Sequence, residues 1–238
     1  MFVIGHRGYP VKAPENTLPS FMFAINSGVD FVEFDVRKSK DGEIVVIHDR
    51  TVDRTTNSKG FVSDFTISEL KALDAGGWFN HRFRETKIPT LNDVLSLING
   101  KVSAVIDIKE CGLEERVLNA LEKFGMINRS MIVASPRICR NMKNLEPEMK
   151  VQSDLEYSQK IEKSIDKLIT NLVDIASINV THFNVEVIKL CHKRGLLVNV
   201  WPVNNFSDIL KCVKTSVNFI TTDNPGLVIE VLHKLGYR

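Results

Sequence analysis

The chain has 238 residues, 43% hydrophobic and 25% charged, enough to bury a full core and ordinary for a globular protein. Its 31 basic and 29 acidic residues leave a formal charge of +2 and are mixed along the chain, so neither nucleic acid nor an acidic membrane surface is suggested as a partner. Cys111, Cys139, Cys191 and Cys212 form no Cys-x-x-Cys pair, no apolar run approaches 18 residues, and residues 1–4 are too short for a signal peptide; a soluble, cytoplasmic protein without zinc, disulfides or a membrane span is expected.

Phe2, Val3 and Ile4 predict a short buried strand ended by Gly5-His6-Arg7-Gly8, where glycine lets the backbone turn. Pro14-Glu15-Asn16-Thr17 introduces a helix with Thr17 or Asn16 as its cap, and Gly28 closes it. The next strand, 31–36, carries Glu33 and Asp35 two apart, so both carboxylates leave one face. At ~6.5 Å and an effective dielectric of ~20 they repel by roughly 2.5 kcal/mol, which a divalent cation would offset. Taken alone, the pair also fits an edge strand facing water.

Lys40-Asp41-Gly42-Glu43 turns into a hairpin strand over 44–47 that ends in His48-Asp49. Residues 49–90 are rich in Thr, Asn, Ser and Gly, with one helical pattern over 68–75, and are too sparse in apolar residues for a separate domain. Beyond 91 strand and helix alternate regularly, with Thr90 or Asn92 capping the first helix and a helix expected over 158–170. Strands over 2–5, 31–36, 102–108, 131–134, 150–153, 173–178, 196–201 and 218–221 each feed a helix. Eight such units predict a (β/α)8 TIM barrel, one domain over 1–238 with an insertion at about 38–90 after the second strand.

In such a barrel chemistry sits at the strand C-termini. His6, Arg7, Glu33, Asp35, His48, Asp107, Lys109, Trp201 and Asp223 all fall there. Glu33, Asp35 and Asp107 suit Mg²⁺ or Ca²⁺, Arg7 and Lys109 suit a phosphate, and His6 and His48 suit acid–base work near neutral pH. His81, His182, His192 and His233 are expected at the surface.

His6-Arg7-Gly8, Pro14-Glu15-Asn16-Thr17, Glu33-Phe34-Asp35-Val36, His48-Asp49 and Asp53-Arg54-Thr55-Thr56 together resemble the glycerophosphodiester phosphodiesterases. The likeness continues through Leu73-Asp74-Ala75-Gly76, Ile88-Pro89-Thr90-Leu91, Val200-Trp201 and Thr222-Asp223-Asn224-Pro225. It implies hydrolysis of a small glycerophosphodiester to glycerol 3-phosphate and an alcohol, with one divalent cation on Glu33, Asp35 and Asp107. By the same resemblance His6 is the acid and His48 the base, Arg7 and Lys109 contact phosphate, and Trp201 walls the glycerol. Water or the neighbouring glycerol hydroxyl could be the nucleophile. The chain departs from the family pattern at Asp107, usually Glu, at Ala134-Ser135-Pro136, usually Ser-Ser-Phe, and at Pro202, usually Thr. Two other readings are a phosphodiesterase of lysophospholipids, using Trp78, Phe79 and Phe83 as an apolar lip, and a barrel that binds phosphoesters without turnover.

Overall fold

Buried parallel strands need helices over their outer faces, and the alternation of the two is what the chain forms. The structure is a computed structural model describing residues 1–158 and 160–238. The strands are β1 (Phe2–Gly5), β2 (Phe31–Lys38), β3 (Ile44–Val46), β4 (Ser103–Ile108), β5 (Ser130–Val133), β6 (Lys150–Asp154), β7 (Ile175–Asn179), β8 (Leu197–Trp201) and β9 (Phe219–Thr222). The helices are α1 (Leu18–Asn26), α2 (Ile67–Ala72), α3 (Leu91–Ile98), α4 (Glu114–Lys123), α5 (Pro136–Leu145), α6 (Ile161–Thr170), α7 (Val185–Lys193), α8 (Phe206–Lys214) and α9 (Pro225–Lys234). Strands pair in parallel in the order β1-β9-β8-β7-β6-β5-β4-β2, and β1 pairs with β2 to close the ring. Among the strands of the described residues only β3 is antiparallel, with Val46 opposite Val36, and it opens the insertion. The fold is a (β/α)8 TIM barrel with a small insertion after the second strand.

Period two along each strand decides what faces the barrel axis. On β2 the outward residues Val32, Phe34 and Val36 join the layer between strands and helices, with Phe34 edge-on to Phe21 of α1 at 5.7 Å between ring centroids. Burying each such side chain is worth about 1.5–3 kcal/mol. A register slip of one residue would expose that layer to Glu33 and Asp35, so the outward apolar face forces both carboxylates inward. Deep in the barrel Ile4, Val105, Met131, Ile175 and Phe219 fill the interior, and the inward positions nearer the strand C-termini are polar except for Val133 and Trp201. The insertion packs on a small core of its own, Val45, Ile47, Val52, Val62, Leu70, Ala75 and Ile88.

Several expected details change. Phe2 is 50% exposed instead of buried, because it caps the open bottom of the barrel against Phe31 and Phe219. The helix expected over 68–75 is α2, started by a capping box between Thr66 and Glu69 and ended where Leu73 turns extended. The strand expected over 150–153 continues to Asp154. The helix expected over 158–170 begins at Ile161, and its position 159 lies outside the described residues. Among the described residues no helix is long and apolar enough to cross a membrane.

Candidate active site

The loop after β1 is pressed against the start of α1. Gly8 has φ +89°, and a Cβ there would lie 2.7 Å from the Ser20 carbonyl carbon. Arg7, also left-handed at φ +51°, thereby aims its backbone N–H at Glu33 Oε2, 2.8 Å away. A non-glycine residue in that region is uncommon and marks a constrained site. Asn16, a candidate helix cap by sequence, serves elsewhere: at φ +56° its side chain donates to Asp35 Oδ2 at 2.7 Å and accepts from Asp35 N at 3.2 Å. Thr17 occupies the cap position of α1, its hydroxyl donating to Pro14 O.

Glu33 and Asp35 from β2 meet Asp107 from β4, because Asp35 and Asp107 stand opposite each other in the ladder. One carboxylate oxygen of each lies within 4.8 Å of the others. Oxygen atoms around a cation bonded at ~2.1–2.5 Å are separated by about 3–5 Å, so this set fits one divalent ion. Burial, with the neighbouring Asp35 charge, pushes Glu33 up to about 7. Burial would raise Asp35 too, but Lys109 and Arg7 outweigh it and hold Asp35 below the usual carboxylate range. Lys109 Nζ sits 2.8 Å from Asp35 Oδ1 and 2.6 Å from Asp107 Oδ2. Asp107 is nonetheless raised to about 6, since its burial and the repulsion of Asp35 exceed what a shared ammonium returns. Arg7 Nε lies 3.3 Å from Asp35 Oδ2 as a charge contact, without the angle of a hydrogen bond.

Each histidine is anchored through Nδ1. His6 bonds Asp223 Oδ1 at 2.6 Å, and Asn204 donates to the other oxygen of Asp223 at 2.6 Å. His48 bonds Asp49 Oδ1 at 2.7 Å. In both, the carboxylate fixes the ring through Nδ1 and leaves Nε2 outside that bond. Burial lowers both imidazoles. For His6 the Asp223 hydrogen bond and the Glu33 charge win, leaving it raised; for His48 burial prevails over Asp49 and it stays lowered.

His6, Arg7, Glu33, Asp35, His48, Asp107, Lys109 and Trp201 all line one cavity of about 110 Å³, so the structure brings together the eight residues to which the resemblance gives a role, with Asp223 reaching it only through His6. The Trp201 ring centroid is 6.2 Å from that of His6. Sequence reasoning assigned no role to Gln152, Asp154, Ser177, Asn199 and Thr221, which complete the wall. Their inward alternation near strand ends was the available signal, and it was weak because amides and hydroxyls also populate loops. Gln152 is buried, and among the described residues its Oε1 has no hydrogen-bond partner. Glu15, Asp49 and Arg54 were visible only as parts of motifs, and Asp223 as a strand-end residue with no role assigned. The four histidines expected at the surface are exposed.

Acidic groups beside cationic ones at the C-terminal mouth of a closed parallel barrel define the class: a (β/α)8 barrel enzyme built for phosphate esters. Residues 6–227 match the model of the Glycerophosphoryl diester phosphodiesterase family, and the chain belongs to that family. It is 36% identical over 243 residues to a glycerophosphodiester phosphodiesterase of Caldanaerobacter subterraneus subsp. tengcongensis, covering 98% of each chain. It is 29% identical over 259 residues to a glycerophosphodiester phosphodiesterase of Bacillus subtilis, covering 100% of this chain and 87% of that one. The structure resembles that of the Agrobacterium tumefaciens glycerophosphodiester phosphodiesterase, with a TM-score of 0.87 at 29% identity over 97% of this chain and 99% of that one. A phosphodiesterase of Oleispira antarctica, solved in complex with the product sn-glycerol-3-phosphate, has a TM-score of 0.87 at 26% identity, covering 98% and 97%.

Proposed function

We propose that the chain hydrolyses glycerophosphodiesters to sn-glycerol 3-phosphate and an alcohol, with one divalent cation, Mg²⁺ or Ca²⁺, held by Glu33, Asp35 and Asp107. The observation that carries this reading is the meeting of three carboxylate oxygens within 4.8 Å in a cavity also lined by two Nδ1-anchored histidines. When bound, the cation supplies positive charge against the phosphate oxygens and makes a nearby hydroxyl more acidic. Arg7 and Lys109 add fixed positive charge on the same phosphate. His6, held raised beside Asp223, keeps a proton at Nε2 for the leaving alkoxide. His48, held lowered, keeps Nε2 free to take a proton from the nucleophile. Trp201 walls the glycerol moiety beside His6.

An acyl-chain substrate has less support. Trp78, Phe79 and Phe83 pack on one another, with centroids 5.8 and 5.6 Å apart, and none of them lines the cavity. The test is release of glycerol 3-phosphate from glycerophosphocholine, with lysophosphatidylcholine as competitor. Turnover of the first, abolished by chelator and restored by Mg²⁺ or Ca²⁺, is expected; unchanged turnover in excess chelator would remove the cation from the reading. No release from any glycerophosphodiester, with the folded protein binding them unchanged, would favour the non-catalytic barrel.

A further inference from the structure

Arg54 belongs to the insertion, and its hydrogen bonds among the described residues go to Glu15 and Asp49, neither of which has a role in the proposed reaction. Its backbone is set by a closed turn, in which Val52 N donates to Gly60 O and Gly60 N to Asp53 Oδ1. From there its guanidinium spans two carboxylates. Nη1 and Nη2 donate to the two oxygens of Glu15 at 2.7 and 2.8 Å, while Nε donates to Asp49 Oδ2 at 2.7 Å. Glu15 Oε1 also accepts from Arg7 Nη1 at 2.8 Å, and Asp49 Oδ1 holds His48 Nδ1. One planar fork is thus joined to the phosphate-facing arginine on one side and to a histidine on the other. An exposed ion pair adds little stability, but a bidentate fork fixes geometry in a way that a lysine ammonium cannot.

We propose that Arg54 is a positioning residue for the reaction, presented by the insertion, that sets His48 through Asp49 and Arg7 through Glu15 at the same time. The inference rests on the roles proposed above for His48 and Arg7. It also gives the insertion a part in the chemistry, because the small core of that segment holds one guanidinium at the barrel mouth.

The test uses the full chain with Asp49→Asn, Glu15→Gln, Arg54→Ala and Arg54→Lys. Two readouts are taken: glycerophosphocholine kinetics, and the His48 titration followed by NMR in metal-free protein. Removing a partner that orients a functional ligand typically lowers activity by about 10–100-fold, and that loss in kcat is expected for Asp49→Asn. Glu15→Gln should raise KM and leave the His48 titration in place. Arg54→Ala should lower kcat as Asp49→Asn does, raise KM as Glu15→Gln does and move the His48 titration, lose no more kcat when combined with Asp49→Asn, and regain at least about tenfold with millimolar guanidinium but not with potassium chloride. Arg54→Lys should stay nearer Arg54→Ala than wild type. The other charges acting on His48, those of Asp35, Arg7 and Lys109, remain in every variant. An unmoved His48 titration in Arg54→Ala overturns the proposal whatever the turnover, as does a loss that guanidinium leaves unrestored in a variant with wild-type melting temperature. Wild-type kcat in His48→Ala would instead overturn the proposed role of His48, and the NMR arm would still decide on Arg54.

Discussion

The two histidines of the mouth are built alike and placed differently. His6 leaves the end of β1, is 17% exposed, and leans on Asp223 just beyond β9, so its support sits at the ends of two barrel strands that pair directly. His48 follows β3, is 34% exposed, and leans on Asp49, which Arg54 of the insertion holds down at about 2. The same imidazole–carboxylate pair ends up raised in one place and lowered in the other. The difference teaches that the partner alone does not set a histidine's proton affinity. Near His6 the Glu33 carboxylate adds to Asp223 and the two outweigh burial and Arg7, whereas near His48 burial, with Arg7 and Lys109, outweighs Asp49 and Asp35.

The comparison breaks most readily at the rings themselves. His6→Ala and His48→Ala should each lower kcat by ~10²–10⁴-fold, the usual worth of a positioned acid or base. A substrate with a nitrophenolate leaving group, which needs no proton, should restore only the His6 variant. Equal rescue of both variants, or of neither, would show that the two imidazoles do not divide the work in this way.

A smaller effect is expected from Asp223→Asn. The hydrogen bond that raises His6 is weakened while burial remains, so His6 should titrate lower and the basic limb of the pH–rate profile should move to lower pH. Asparagine also leaves the ring tautomer unspecified, and a loss of about 10–100-fold in kcat is expected. An unmoved limb would mean that Glu33, not Asp223, dominates around His6.

The carboxylates between these supports give the third test. Asp107 is one methylene shorter than the family's usual residue, yet its oxygen reaches the common 4.8 Å cluster. Metal affinity measured by calorimetry should fall at least tenfold in Asp107→Ala and less in Asp107→Glu. Equal affinity in Asp107→Ala and wild type would remove Asp107 from the ion's ligands.

The smallest effect concerns stability without metal. Glu33 is held at about 7 in the folded chain against an ordinary value near 4.3, so its contribution is complete below the unfolded value and is lost as pH rises through about 7. Metal-free protein should therefore melt lower at pH 8 than at pH 6, and Glu33→Gln, which keeps an acceptor for the Arg7 N–H, should narrow the gap. At about 2–4 °C per kcal/mol for a chain of this size, a gain of several degrees at pH 8 is measurable by calorimetry. No gain would place the repulsion of Asp35 elsewhere.

The barrel was legible in the sequence because each strand is a short apolar run with its own helix, and both patterns are local. The mouth was legible for the same reason: on β2 and β4 the charged residues sit at inward positions near the strand ends, and period two carries them to one side. Asn16 shows where such reading stops. Its type and position suit a helix cap, and only the left-handed turn after β1, pressed onto α1, swings it to Asp35.

Sequence alone determined which residues are available and which strand ends carry them, since alternation and run length depend on near neighbours. Tertiary structure decided which carboxylate serves which partner. Asp223 reaches His6 across 217 positions, and Arg54 reaches Glu15 across 39, because ring closure and the folded insertion bring distant segments within hydrogen-bond range. Those contacts depend on burial and on the sum of surrounding charges, which no local pattern encodes.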